Sequence, residues 1–226
     1  MRTMKLLFAF CLMMTFGLNQ LNAQTPFFKK ALANVEKSDP AAKKVLEKLK
    51  KKYTQYKAIY AEYELLIDNR ETQERQKGQI TQAGDKFHVN NNGNEIYCDG
   101  ETLWMYMKNN NELQINDYEP EDEDMMSPSK IMKIYEAEDE FFYAMTQDRG
   151  DICEIEFKPH DKEADFFKIR ATIDRAKPMV NEIKVFAKDG TIYTLDIKVL
   201  KAAQPQDKDF IFDKSKYPGI REVDMR

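Results

Sequence analysis

The sequence of 226 residues is poor in the residues that define several protein classes. It has only 8 Gly and 8 Pro, which excludes a collagen-like or low-complexity chain. It also has no basic excess, since 35 Lys and Arg stand against 39 Asp and Glu, so a nucleic-acid partner is not expected. A single domain is expected, because all-β domains of about 200 residues are common.

Residues that carry chemistry are equally scarce. His88 and His160 stand alone, without a second histidine at metal-ligand spacing and without a nucleophile motif beside them. The sequence has no glycine-rich phosphate loop and no G-x-S-x-G elbow. We therefore expect no cofactor, no metal site and no enzymatic activity, and we interpret His88 as a partly buried strand residue.

The N-terminus has the pattern of a secretory signal peptide. Arg2 and Lys5 are followed by an apolar run over 6–18 and by a small residue, Ala23. The run is shorter than the roughly 20 residues that span a bilayer. Residues 1–23 are thus predicted to be removed, leaving an exported domain over 24–226. Without Arg2 and Lys5 that domain has 33 basic and 39 acidic residues, a net charge of −6.

Two cysteines, Cys98 and Cys153, remain after this cleavage. An oxidising compartment would allow them to pair, but a domain of this size does not need the crosslink. Neither lies in a C-x-x-C or other metal-ligand spacing. The sequence leaves the disulfide open.

One amphipathic helix is predicted after the leader. Asp39 can accept hydrogen bonds at an N-cap, and Pro40 suits the first helical position. Apolar residues then recur at spacings of four, four and three, at Val45, Leu49, Tyr53 and Tyr56.

From residue 59 the apolar period changes from 3.6 to 2, which predicts strands. Turn signals such as Asn92-Gly93 and Asp99-Gly100 separate the runs and favour tight hairpins. Strands are predicted at 59–68, 75–81, 86–90, 94–98, 102–108, 152–157, 166–173, 179–186, 191–200 and 210–212.

Between the two groups of strands lie an acidic segment and a second helix. Six carboxylates crowd residues 117–124, which we interpret as a solvated loop because the spaced ligands and glycine of a calcium loop are missing. Ser127-Pro128 is predicted to begin a helix that carries Ile131 and Met132. So few helices cannot cover both faces of ten strands. We predict a mainly β, α+β fold: an incomplete antiparallel barrel of about ten to eleven strands, with helices lidding its concave face.

Aromatic residues are predicted to face the interior of this half barrel. Tyr63, Phe87, Val89, Trp104 and Tyr106 lie on strands. The residues on the helices that would cover them are Leu49, Tyr53, Ile131 and Met132. Composition alone leaves open whether these side chains form a filled core or line a cavity.

Several short motifs add a family resemblance. The segment from Cys98 to Tyr106 resembles the D-G-x-x-L-W-x-Y hairpin of LolA-type periplasmic lipoprotein carriers. Similar matches occur, in the family's order, at Tyr60-Ala61-Glu62-Tyr63, Lys77-Gly78-Gln79-Ile80, Ser127-Pro128, Asp189-Gly190-Thr191-Ile192, Phe210-Ile211-Phe212-Asp213 and Pro218-Gly219-Ile220.

The resemblance implies a monomeric periplasmic carrier that shelters the acyl chains of lipoproteins and delivers them to the outer membrane. Its partners would be acylated lipoproteins, an inner-membrane lipoprotein-releasing transporter and an outer-membrane acceptor. The implied cavity residues are Tyr63, Leu65, Phe87, Val89, Trp104 and Tyr106, and the implied lid residues are Leu49, Tyr53, Ile131 and Met132.

One departure from the family and two alternative functions remain. Such carriers commonly have Arg before Pro in the turn ahead of the Phe87 strand, where Arg latches the lid. This chain has neither residue in the turn over 82–86, so its latch is undefined.

The alternative functions are an envelope-stress sensor or lipid-binding interaction module on the same fold, and an exported hydrolase. The missing nucleophile motif disfavours the hydrolase.

Overall fold

The computed structural model describes residues 38–119, 130, 133–136 and 139–226. The signal peptide over 1–23 and most of the second helix, with Ile131 and Met132, lie outside the described residues, and both stay predictions. So does most of the acidic segment, of which 117–119 are described. Within the described ranges the main elements are one α-helix and one sheet of twelve strands.

The helix α1 spans Pro40–Tyr53 and confirms the sequence prediction. The Asp39 carboxylate accepts a hydrogen bond from the backbone N–H of Ala41 at 2.8 Å, which satisfies one of the unpaired donors at the helix start. The apolar residues of its stripe are buried on one side: Ala42, Val45, Leu46, Leu49 and Tyr53. Tyr56 lies beyond the helix end.

The sheet is single, open and mainly antiparallel, as predicted for an incomplete barrel. In spatial order its strands run β12, β6, β5, β4, β3, β2, β1, β11, β10, β9, β8, β7, and β12 pairs with β6 in parallel. The strands are β1 Ile59–Asp68, β2 Gln73–Ala83, β3 Lys86–Asn91, β4 Asn94–Cys98, β5 Thr102–Met107, β6 Glu112–Asp117, β7 Phe141–Arg149, β8 Ile152–Pro159, β9 Phe166–Asp174, β10 Met179–Ala187, β11 Ile192–Ala202 and β12 Arg221–Asp224.

The strand count corrects the sequence prediction in two ways. Strands β6, β7 and β12 were not predicted, because β6 lies beside a run of Asn and Asp and β12 has only four residues. The strand predicted at 210–212 is wrong. A 3-10 helix over Asp207–Phe210 ends at the first of these residues, the next two are irregular, and the side chain of Phe212 packs against the sheet.

The hairpin turns form as predicted from their Asn-Gly and Asp-Gly pairs. Asn92 and Gly93, which join β3 to β4, have φ angles of 52° and 86°. A type I′ turn requires positive φ at both central residues, and Asn and Gly tolerate this conformation best. In the turn between β4 and β5 the glycine of the Asp99-Gly100 pair takes the positive φ, at 96°.

Strand register divides the sheet into two faces. Residues paired across neighbouring strands point to the same side. The row Gln82, Phe87, Cys98 and Leu103 is joined by three such pairings and faces α1; we call this side the inner face. The opposite side, the outer face, carries charged residues over β8 to β10, where Glu156 binds both Lys168 and Arg170.

Tyr63 is seated on the inner face directly over a glycine. A Cβ atom built on Gly78, its partner on β2, would lie 2.3 Å from the Tyr63 ring. Contacts that short do not occur, so any side chain at 78 must displace the ring. Gly78 therefore allows Tyr63 to lie flat and remain 3% exposed.

We expect Gly78→Ala to lower the free energy of unfolding by about 1–3 kcal/mol, the usual cost of overpacking. The steric origin is testable by a double-mutant cycle with Tyr63→Leu, because the smaller side chain leaves room for the methyl group. In that background Gly78→Ala should be neutral or stabilising, since Ala is favoured over Gly in a strand. Equal destabilisation in both backgrounds, measured by urea unfolding, would contradict the contact.

Candidate functional site

Four of the six predicted cavity residues lie together on the inner face. Tyr63, Leu65, Phe87 and Val89 belong to one continuous apolar cluster, and each is at most 8% exposed. Alternation along β1 and β3 places them on the same side, and pairing through β2 joins the two strands. The predicted lid residues of α1, Leu49 and Tyr53, belong to the same cluster.

Trp104 and Tyr106 do not join this cluster, which corrects their predicted place. Trp104 pairs with Tyr97, and Tyr97 pairs with His88, so these three residues face the outer side. Their inward neighbour on β5 is Leu103, which is 3% exposed. Alternation within β5 groups Trp104 with Tyr106 correctly, but only the register with β4 decides which face they occupy.

The helix α1 covers the inner face and is held at both ends. At its start the Asp39 N–H donates to the Tyr143 carbonyl at 2.9 Å, and Asp39 Oδ2 accepts from the Met145 N–H at 3.1 Å. At its end Lys52 Nζ donates to the carbonyls of Lys177 and Pro178, at 2.7 and 2.9 Å. The helix is thus tied to the edge strand β7 and to the turn between β9 and β10.

A second cover comes from the short segment 133–136. The Tyr135 ring packs on the Tyr53 ring with centroids 5.0 Å apart, and Ile134 is 2% exposed. Lys133 Nζ donates to the Gly84 carbonyl at 3.0 Å. This contact lies in the β2–β3 turn, where the family's arginine is missing. In this chain the cation of the contact, Lys133, belongs to the covering segment, and the turn supplies the acceptor carbonyl.

The inner face also holds a few polar groups and both remaining cysteines. Gln82 is 4% exposed, and its Oε1 is one of the buried side-chain oxygens without a hydrogen-bond partner among the described residues. Cys98 and Cys153 are buried thiols, and no disulfide joins them. The pairing that the sequence left open is absent, and the two thiols lie at different strands of one apolar layer.

The C-terminal segment covers part of the outer face with aromatic rings. Tyr106 forms a cluster with Phe212 and Tyr217, and the rings of the latter two lie 4.7 Å apart between centroids. The Tyr97 ring meets Phe212 edge-on and stacks on His88 at 4.0 Å. The sequence analysis missed this cluster, although Phe212 and Tyr217 lie in or beside the motifs that carry the family resemblance.

Glu95 is the polar centre of the outer-face cluster. Its carboxylate accepts hydrogen bonds from Tyr97 Oη at 2.6 Å, Tyr217 Oη at 2.7 Å and His88 Nε2 at 3.0 Å. Burial alone would raise the pKa of Glu95, but the three hydrogen bonds outweigh it and lower the pKa to about 2. Burial and the bond to Glu95 raise the pKa of Tyr217 to about 12.

Two grooves open beside these layers. One of about 600 Å³ runs between α1 and strands β7 and β9, with Val45, Leu49, Met145 and Ile173 on its floor. The other, of about 900 Å³, lies on the outer face between His88, Tyr97 and the segment after β11. Neither groove includes Tyr63, Phe87 or Val89, whose surroundings are occupied by the protein's own side chains.

The described residues offer no cluster of three metal-binding side chains. No helix in these ranges combines the length and apolar character needed to cross a membrane. The arrangement is instead a large apolar layer closed by one helix and one short segment.

The Glu95 network predicts a specific pH dependence. Because its pKa falls from 4.5 to about 2 on folding, Glu95 contributes stability above pH 4.5 that is lost as pH falls towards 2. Glu95→Gln should lower the free energy of unfolding by about 2 kcal/mol at pH 7. At pH 2 the variant and wild type should be similar.

Urea unfolding at several pH values measures this difference, and Glu71→Gln, at an exposed turn position, is the matched control. For the control the difference from wild type should not change with pH. A constant offset for Glu95→Gln between pH 7 and pH 2 would contradict the assigned pKa.

Comparisons with known proteins agree with this architecture. The family model "Outer membrane lipoprotein carrier protein LolA" matches residues 63–213. No curated protein sequence matches the chain significantly. Among solved structures, an uncharacterized conserved protein from Thermus thermophilus superposes with a TM-score of 0.53 at 12% identity, covering 81% of this chain and 99% of its own. This similarity supports the fold.

Two further structures are similar at lower scores. A LolA superfamily protein from Nitrosomonas europaea has a TM-score of 0.45 at 12% identity, over 76% of this chain and 97% of its own. LprF from Mycobacterium bovis has a TM-score of 0.43 at 10% identity, over 76% and 99%. Since the family model spans most of the sheet, from Tyr63 on β1 to Asp213 after β11, the chain belongs to the LolA family of outer membrane lipoprotein carrier proteins.

Proposed function

We propose that this chain is a periplasmic carrier that shelters the acyl chains of lipoproteins on its inner face and delivers them to the outer membrane. The mature carrier would be residues 24–226, released from a signal peptide over 1–23. It would receive its cargo from an inner-membrane lipoprotein-releasing transporter and pass it to an outer-membrane acceptor. The role is one of binding, without catalysis. Membership of the LolA family supports this proposal.

The observation that carries the proposal is the apolar layer of the inner face. Tyr63, Leu65, Phe87 and Val89 present a continuous surface, and within the described ranges no second sheet lies over it. Burial gains about 0.8 kcal/mol per CH₂ group, so two long acyl chains in water cost on the order of 20 kcal/mol without an apolar host. The inner face is the apolar surface that would act as that host once its cover moves.

Cargo entry then requires an exchange of contacts. Leu49 and Tyr53 now occupy the space over the sheet, and the Tyr135 ring packs against the Tyr53 ring at a tilt of 38°. An acyl chain would replace these contacts with similar ones, so the net affinity stays moderate and release remains possible. Ile131 and Met132 are proposed to belong to the same cover.

The two covers differ in how firmly they are attached. Hydrogen bonds through Asp39 and Lys52 fix α1 at both ends. Segment 133–136 is held to the β2–β3 turn by Lys133 and to α1 by Tyr135. We therefore propose that opening begins at the segment and that Lys133 acts as its latch.

Lys133→Met should expose the inner face near the β2–β3 turn, because it removes the bond to the Gly84 carbonyl. Cys98 is buried beside that turn and serves as the reporter. The test uses a Cys153→Ser background, so that Cys98 is the thiol that remains in the mature domain. We expect maleimide labelling of Cys98 to become several-fold faster. Lys77→Met, at an exposed position on the outer face, is the control. Equal labelling rates for both variants would exclude the latch.

Acyl-chain binding can be located by fluorescence quenching. Trp104 is the single tryptophan and lies on the outer face, whereas Phe87 lies on the inner face. We expect a dibrominated diacyl-cysteine peptide to quench Trp strongly in Phe87→Trp/Trp104→Phe and weakly in the wild type, because bromine quenches only at contact.

A second reporter variant keeps the test valid if the first variant does not fold. Met105→Trp/Trp104→Phe places the ring at a partly buried inner position of β5. Binding of the peptide without quenching at either inner position, or with equal quenching at Trp104, would contradict the proposed site.

The outer groove favours a second candidate, an interaction module on the same fold. It combines about 900 Å³ of space with an exposed apolar residue at its rim, Ile211, which is 45% exposed. Such a module would bind a protein there and would not need the inner face to open. In the quenching experiment it predicts no contact between acyl chains and position 87.

A further inference from the structure

The exposed side of α1 carries a charge opposite to that of the whole chain. The helix contains six Lys and one Glu, a net charge of +5, while the complete sequence has a net charge of −4. Its apolar stripe is buried on the sheet, so the lysines are left on the solvent side. The molecule is therefore electrically polarised, with a basic helix on an acidic body.

Three of these lysines form one row along the helix. Lys44, Lys48 and Lys51 follow each other at spacings of four and three, which places neighbouring side chains about 5–6 Å apart on one face. All three are exposed, and no ion pair engages them among the described residues. Glu47 is the single acidic residue of the helix. Like charges at this spacing repel each other, and Glu47, four residues before Lys51, offsets only part of that repulsion.

Ordinary helix stabilisation accounts for only part of the row. Lysines near a helix C-terminus interact favourably with the helix dipole, which explains Lys50, Lys51 and Lys52. Lys44, however, lies near the helix start, where the dipole favours acidic residues and this helix has none in its first turn. The basic face thus extends towards the end of the helix where positive charge costs stability.

Neighbouring elements do not form ion pairs with the row either. The carboxylates that border the groove beside it have other partners. Asp39 caps α1 and binds β7, Asp148 pairs with Arg175, and Asp174 accepts from the Lys177 N–H. The three lysine side chains of the row are exposed to solvent.

With the cover closed, as in this structure, the row is also held in a fixed position. Leu46 and Leu49 are each 1% exposed and pin the helix to the sheet, and Lys52 ties its end to the β9–β10 turn. Alongside Lys44 and Lys48 runs the groove of about 600 Å³, whose floor is apolar. Cations at the rim of an apolar groove match a phospholipid, which combines a phosphate with acyl chains.

We propose that the basic face of α1, centred on Lys44, Lys48 and Lys51, docks this protein on an anionic phospholipid bilayer. Lipid headgroups move laterally, so each flexible lysine can find a phosphate without a fixed spacing. An acidic protein would need matching charges at set positions. This inference does not depend on acyl-chain carriage by the inner face.

Sedimentation of the purified protein with vesicles tests the docking surface. We expect binding to vesicles of phosphatidylglycerol and phosphatidylcholine to be at least about tenfold tighter than to phosphatidylcholine alone, and to weaken as salt screens the charges. Lys44→Gln/Lys48→Gln/Lys51→Gln should reduce binding to the anionic vesicles on the order of tenfold.

The matched control is Lys77→Gln/Lys162→Gln/Lys208→Gln, which changes the net charge equally at exposed positions outside α1. It should bind vesicles nearly as the wild type does. The inference is overturned if both triple variants lose binding equally, if the α1 variant binds like the wild type, or if the wild type does not distinguish the two vesicles. The inference would also be overturned if the basic face of α1 bound an acidic protein and did not bind the vesicles. The α1 variant should still bind the diacyl peptide, which separates this result from a failure of the carrier proposal.

Discussion

The structure depends on one constraint: a single-layer sheet with an apolar face must have that face covered. Twelve strands present an extended inner surface, and the described cover consists of one 14-residue helix and a short segment. In a two-sheet sandwich a second sheet would supply the cover permanently. Here the cover is a separate element, attached through a few polar contacts at Asp39, Lys52 and Lys133. Under the proposed function, this cover is the part of the protein that an apolar guest replaces.

The two faces of the sheet differ in the kind of contact that holds the covering segments on them. On the outer face, packed aromatic rings and the partly buried carboxylate of Glu95 hold the C-terminal segment on β3 to β6. These contacts are polar as well as apolar, and their geometry is specific. On the inner face the contacts are almost wholly apolar and non-directional. The proposed function requires this difference, because an acyl chain would replace the inner contacts while the outer ones keep the fold intact.

The sequence predicted the features that local chemistry determines. Asp39 and Pro40 mark the start of α1, Asn92 and Gly93 form their hairpin, and alternation finds most strands. The predictions that failed concern features that depend on contacts between segments far apart in the sequence. Trp104 was placed on the inner face, although the register with β4 puts it outside. Strand β12 forms only because β6 offers it an edge, and residues 210–212 leave the strand path because Phe212 fills a ring cluster built by other segments.

The most direct test of the account is photo-crosslinking in the native cell envelope. A benzophenone side chain would replace Val89 on the inner face or, as the matched control, His88 on the outer face of the same strand. The account predicts that position 89 captures acylated proteins and that position 88 does not. Capture of acylated proteins from both positions alike, or from position 88 alone, would contradict a carrier that holds its cargo under α1.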